Sequence, residues 1–156
     1  MLAAKEPASI RGVILCASFV RPPHPVLSQV QFAVTSPVIH LVRLARRIPV
    51  LLSNDPANPF CRDKAATWAR VPTRTLRART RAILTLDARQ CLRECPRPVL
   101  YLAGSRDWVV PRRNVKEVVR ESPSTRVVTI DGPHLALYTN PVPAARAIIE
   151  FMSEGI

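Results

Sequence analysis

The chain has 156 residues, 47% of them hydrophobic, and a formal charge of +12. This length and apolar content suit one ordinary domain with its own core and exclude a disordered tail. Only four residues are Gly, against 16 Pro; a self-contained α/β enzyme needs more Gly at its strand-to-helix turns, so some turns are expected to lie outside this sequence.

Lys5 and Arg11 precede the apolar run "GVILCASFV", crudely the layout of a signal peptide. The run stops at "RPPHP" without a small-x-small cleavage site, and a buried strand explains it better. "IRGVILCA" (10–17) is apolar and β-branched, so it is expected to be a parallel strand buried on both faces, with Cys16 as an inward thiol.

From 22 to 96 strand patterns give way to three helical ones. The first runs from Pro37 to Leu52, with Val38, Leu41, Val42 and Ala45 on one face. It is also the longest apolar stretch, but His40, Arg43, Arg46 and Arg47 exclude a membrane span. "SNDPANP" is a loop. The second helix lies around Cys61–Arg70 and buries Trp68. The third runs from Pro72 to about Glu94, with Leu76, Ile83, Leu84 and Leu86 on its apolar side.

After "CPRP" strand character returns. "PVLYLAG" (98–104) is a second buried strand, "RRNVKEVVRES" (112–122) an amphipathic helix with a Val115, Val118 and Val119 stripe, and "TRVVTID" (125–131) a third strand. "NPVPAARAIIEFM" (140–152) closes the chain as a helix, with Ala145, Ile148, Ile149 and Met152 inward. Strands alternating with helices argue for an α/β fold with about three parallel strands and right-handed crossovers. A sheet this thin leaves the first strand open along one edge.

The cysteines form no metal pattern. Cys91 and Cys95 are four apart with no second pair nearby, so reduced thiols in a cytoplasmic protein are expected, and no metal. The positive charge is almost all arginine: of 23 basic residues only Lys5, Lys64 and Lys116 are lysine. A GC-rich coding sequence produces the same bias. The arginines are spread out and no aromatic residues alternate with them, which argues against nucleic acid as a partner.

Functional groups of open α/β sheets gather at the carboxyl ends of the strands. Asp107 lies just past the second strand and His134 just past the third. An Asp so placed can accept the imidazole Nδ1–H, fix the tautomer and leave Nε2 to take a proton from a nucleophile. Gly132 and Pro133 form a tight turn that aims His134, and Gly104 lets the chain turn toward Asp107. Each residue alone has an ordinary explanation: an Asp after a strand can bond a turn, and a His before an apolar helix can pack.

"PVLYLAGSRDWVVP" resembles the acid-bearing segment of α/β-fold serine hydrolases, and "IDGPHLALYTNP" resembles their histidine segment. "IRGVILCASF" is similar to the strand that follows the nucleophile helix, and "MLAAKEPASIRG" to the end of that helix. The resemblance implies a partial α/β-hydrolase core in 1–21 and 97–156 with a helical lid in 22–96. It implies Asp107 as triad acid and His134 as triad base. It also implies carboxylesterase-like hydrolysis of small acyl or lipid-like esters without a cofactor. The family's Gly-x-Ser-x-Gly turn does not occur in the sequence and is expected before residue 1, together with the oxyanion hole. Ser18, Ser105 and Cys16 lack such a turn, and His24 and His40 read as packed or half-exposed imidazoles. Three readings stay open: a hydrolase whose N-terminal half is elsewhere, inactive alone; a non-catalytic remnant that binds partners; and a basic nucleic-acid binder.

Overall fold

The computed structural model describes residues 10–24, 26, 29, 31–44, 67 and 70–154. The chain divides into two compact units, one of Met1–Pro23 with Leu86–Ile156 and one of His24–Thr85.

The first unit is built on three parallel strands, β1 (Val13–Cys16), β2 (Val99–Gly104) and β3 (Arg126–Ile130), in spatial order β1-β2-β3. Val13 pairs with Val99 and Cys16 with Leu102; Leu100 pairs with Arg126 and Gly104 with Ile130. β2 is central, and its Val99, Leu100, Tyr101 and Leu102 are at most 2% exposed. That is why its sequence is apolar without alternation.

Because side chains alternate across a strand, β2 feeds two cores. Val99 and Tyr101 join Val13, Leu15, Leu92 and Val118 on one face. Leu100 and Leu102 join Ala147, Phe151 and Val128 on the other. Two helices, α3 (Arg89–Arg93) and α4 (Arg112–Glu121), cover the first face; α6 (Pro141–Ser153) covers the second. A short α5 (Ala136–Thr139) packs with α6 near Ile130. Each fully buried Leu of β2 contributes about 1.5–3 kcal/mol.

Several expectations are corrected. β1 is not buried on both faces: it is an edge strand, and Ile14 is 41% exposed. The inward face of α6 is Ala144, Ala147, Ile148 and Phe151, while Ala145, Ile149 and Met152 are exposed. The single helix expected from Pro72 to Glu94 is two, α2 (Thr73–Thr85) and α3. The break has a tertiary cause. The Ala88 N–H donates to the Val20 carbonyl at 2.7 Å, and Asp87 Oδ1 accepts from the Arg89 N–H. Both bonds divert the backbone from a continuous helical ladder. The Arg89 guanidinium also holds the Asp87 carboxyl low, at about 2.

Three buried polar residues of α4 tie this unit together. Glu117 pairs with Arg21 at 2.6 Å and with Arg120; Glu121 pairs with Arg120 and Arg93; Asn114 donates to the Pro23 carbonyl. The arginines thus clamp the strand-exit segment Arg21–Pro23 and α3 onto α4.

The second unit contains a 3-10 turn (Gln31–Ala33), α1 (Ser36–Leu44) and α2. α1 and α2 pack together. The remainder of the expected Pro37–Leu52 helix, Cys61 and Trp68 lie outside the described residues, as does most of the expected Cys61–Arg70 helix, of which Thr67 and Arg70 are helical.

Candidate active site

The loops after β2 and β3 meet at the carboxyl edge of the sheet. Ser105 N–H donates to the Ile130 carbonyl and Arg106 N–H to the Gly132 carbonyl, both at 2.9 Å. Ser105 Oγ donates to Asp131 at 2.8 Å and accepts from the Gly132 N–H at 3.2 Å. Arg106 adds an exposed ion pair to Asp131.

Gly104 and Gly132 permit this closeness. A Cβ at Gly104 would lie 2.5 Å from the Pro133 carbonyl oxygen and 3.0 Å from that of Gly132. Gly104 is therefore required for close approach of the neighbouring loop, rather than for the turn expected from sequence. Gly132 has φ +153° and faces Thr139 and Ala136.

Asp107 and His134 come together across these loops. His134 Nδ1 lies 2.9 Å from Asp107 Oδ2. The Asp107 side chain is 5% exposed and that of His134 is 28% exposed. Asp107 Oδ1 accepts from the Val109 N–H at 2.9 Å and the Val110 N–H at 2.8 Å. The turn-bonding role and the histidine-facing role are thus divided between the two oxygens of one carboxylate. With both oxygens engaged, the carboxylate is fixed in orientation, and Nε2 is the ring nitrogen left for proton exchange.

β1 adds a strained corner nearby. Ala17 adopts φ 43°, a left-handed conformation that costs a non-glycine residue about 1–2 kcal/mol. Two bonds hold it: Ala17 N–H to the Leu102 carbonyl at 2.9 Å, and Tyr101 OH to the Ser18 carbonyl at 2.6 Å. Burial pushes the Tyr101 phenol up to about 12. This corner was not foreseen from sequence, where a Tyr inside an apolar run reads only as packing.

The side chains considered as alternative nucleophiles are otherwise employed. Ser18 Oγ donates to the Cys16 carbonyl at 2.9 Å, and Ser105 Oγ is bonded to Asp131. Burial, and then the charge of Asp107, push the Cys16 thiol up, which favours the protonated and less nucleophilic form. His24 is half-buried and His40 exposed, both in the second unit. Among the described residues no cluster of three His, Cys, Asp or Glu side chains is placed to hold a metal ion. No described helix is long and apolar enough to cross a membrane.

The model of the serine aminopeptidase S33 family matches residues 1–135. The chain belongs to this family. Solved structures agree on the fold of this α/β hydrolase. A hydrolase from Pseudomonas aeruginosa PA01 superposes with a TM-score of 0.74 at 22% identity, covering 97% of this chain and 59% of its own. An enol-lactonase from Burkholderia xenovorans LB400 gives 0.69 at 18%, covering 98% and 60%. A thermophilic esterase from Thermogutta terrifontis gives 0.69 at 24%, covering 90% and 55%. Among curated proteins none matches the chain. The S33 chain thus spans 55–60% of the length of these solved relatives and carries a partial α/β-hydrolase fold.

Proposed function

We propose that this chain supplies the general base and its orienting acid to a serine hydrolase of carboxylic esters. The observation that carries the reading is the 2.9 Å pair of His134 Nδ1 and Asp107 Oδ2 at the carboxyl ends of adjacent parallel strands. Membership of the S33 family supports a serine mechanism, and neighbours described as an esterase and an enol-lactonase favour ester bonds.

In this reading His134 Nε2 takes the proton from a serine hydroxyl as its oxygen attacks the ester carbonyl. The same proton then passes to the leaving alkoxide, which departs as an alcohol. Water repeats the sequence on the acyl-serine and releases the acid. Asp107 holds the ring and stabilises the imidazolium that forms in each step. The Gly-x-Ser-x-Gly turn is absent from the 156 residues, so the serine is supplied from outside them. By the same reading residues 22–96 act as the lid insertion that selects the acyl group.

The test is turnover of p-nitrophenyl acetate. The chain alone is expected to show none above buffer. Joined behind a family segment that carries strand, Gly-x-Ser-x-Gly and helix, it is expected to turn over, and His134→Ala is expected to abolish this. Turnover by the isolated chain that survives Ser18→Ala with Ser105→Ala but vanishes in His134→Ala would overturn the assignment, because it requires a different nucleophile.

A further inference from the structure

The charge of this chain is unevenly placed. The His24–Thr85 unit holds ten of the 23 basic residues but two of the 11 acidic ones, a net +8 of the chain's +12. In the other unit arginines meet carboxylates, as in the Arg21, Arg93 and Arg120 pairs with Glu117 and Glu121.

Among the described residues α2 has no such compensation. It carries Arg74, Arg77, Arg79 and Arg81 and no acidic residue, and all four are exposed. Among the described residues none of the four forms an ion pair. Arg74, Arg77 and Arg81 recur at three- and four-residue spacing, so they share one face and repel one another. Arg74 also stands in the first turn, where the helix dipole disfavours a cation. An anion against this face relieves both penalties.

The same unit exposes apolar side chains beside these arginines. Ser36, Pro37, His40, Leu41 and Thr73 line an open groove of about 530 Å³. Arg77 donates to Ser36 Oγ at 3.2 Å, and Thr73 precedes Arg74, so the basic face and the groove are continuous. Leu41 is 64% exposed, and Phe32, on the 3-10 turn packed against α2, is 78% exposed.

We propose that this helical unit docks on an anionic lipid surface, with Arg74, Arg77 and Arg81 at the phosphate headgroups and Leu41 and Phe32 entering the acyl boundary. Arginine suits phosphate because its planar fork donates two hydrogen bonds at once. Apolar side chains beside a cationic helix face gain by entering the interfacial layer, where anionic lipid also attracts the cations. A nucleic acid fits less well, because α2 interleaves no aromatic side chain with its arginines for bases to stack on.

The experiment is co-sedimentation of the full chain with phosphatidylcholine vesicles, with and without phosphatidylglycerol. Binding is expected to need the anionic lipid and to weaken with salt. Replacing all three arginines by Gln is expected to lower partitioning about 100-fold. The pair Arg74→Gln with Arg81→Gln, which leaves the Arg77–Ser36 bond, is expected to lower it about 30-fold. Leu41→Ser and Phe32→Ser are expected to weaken it further. Removing the same amount of charge elsewhere, with Arg112→Gln and Arg146→Gln, is expected to have little effect. Equal binding to neutral vesicles, equal loss in that control, or no binding at low salt would overturn the proposal. So would tighter binding to duplex DNA or RNA that ignores Leu41→Ser.

Discussion

Gly104 and Pro133 are in such close approach that a single added carbon cannot stand between them. A Cβ on Gly104 would meet the Pro133 carbonyl oxygen at 2.5 Å, and that oxygen belongs to backbone. The end of β2 and the residue before His134 are therefore locked against each other.

Gly104→Ala is expected to push the β3 loop away and separate His134 from Asp107. The expected destabilisation is about 1–3 kcal/mol, typical of overpacking. Chemical denaturation measures it, and a crystal structure of the variant reads the His134–Asp107 distance.

Asp107→Ala and Asp107→Asn are expected to differ. The alanine variant leaves the Val109 and Val110 N–H groups without their acceptor and is expected to lose about 2–4 kcal/mol. The asparagine variant keeps an oxygen for the turn and is expected to lose about 1 kcal/mol. In an assembled enzyme the same asparagine is expected to cost about 10⁴-fold in kcat, because the ring loses the partner that fixes its tautomer.

Tyr101 makes stability fall at alkaline pH. Its folded-state value, about 12, lies above the ordinary 10.0. Below pH 10 both states keep the proton and there is no effect. Between pH 10 and 12 the unfolded chain releases the proton first, so stability declines, by about 3 kcal/mol at most. Tyr101→Phe is expected to lose about 1 kcal/mol at neutral pH, through the Ser18 bond, and to flatten the alkaline decline. Denaturation midpoints across that pH range measure both.

The sequence foretold some of these features and not others, for physical reasons. β2 is legible because a strand buried on both faces is apolar at every position. α4 is legible because its valines stand among charges. The expected inward face of α6 differs from the observed one because Val142, Ala145, Ile149 and Met152 are apolar yet exposed, so apolar residues extend beyond the buried stripe; Arg146, Glu150 and Ser153 mark the outer side. The α2–α3 break was missed because it depends on Val20, nearly seventy residues earlier, whose carbonyl takes the Ala88 N–H. Asp107 and His134 could be singled out because their type, order and place after strands are visible in one dimension. The bonding of Ser105 to Asp131 could not, since nothing local to "GSRD" indicates which loop will face it.

The central claim is that Asp107 holds the His134 ring with Nε2 free to act as base. Nitrogen-resolved NMR of the neutral imidazole tests this most directly. The account predicts that the proton sits on Nδ1 in the native chain and that this preference is lost in Asp107→Asn. A native ring protonated on Nε2, or one unchanged by Asp107→Asn, would contradict it.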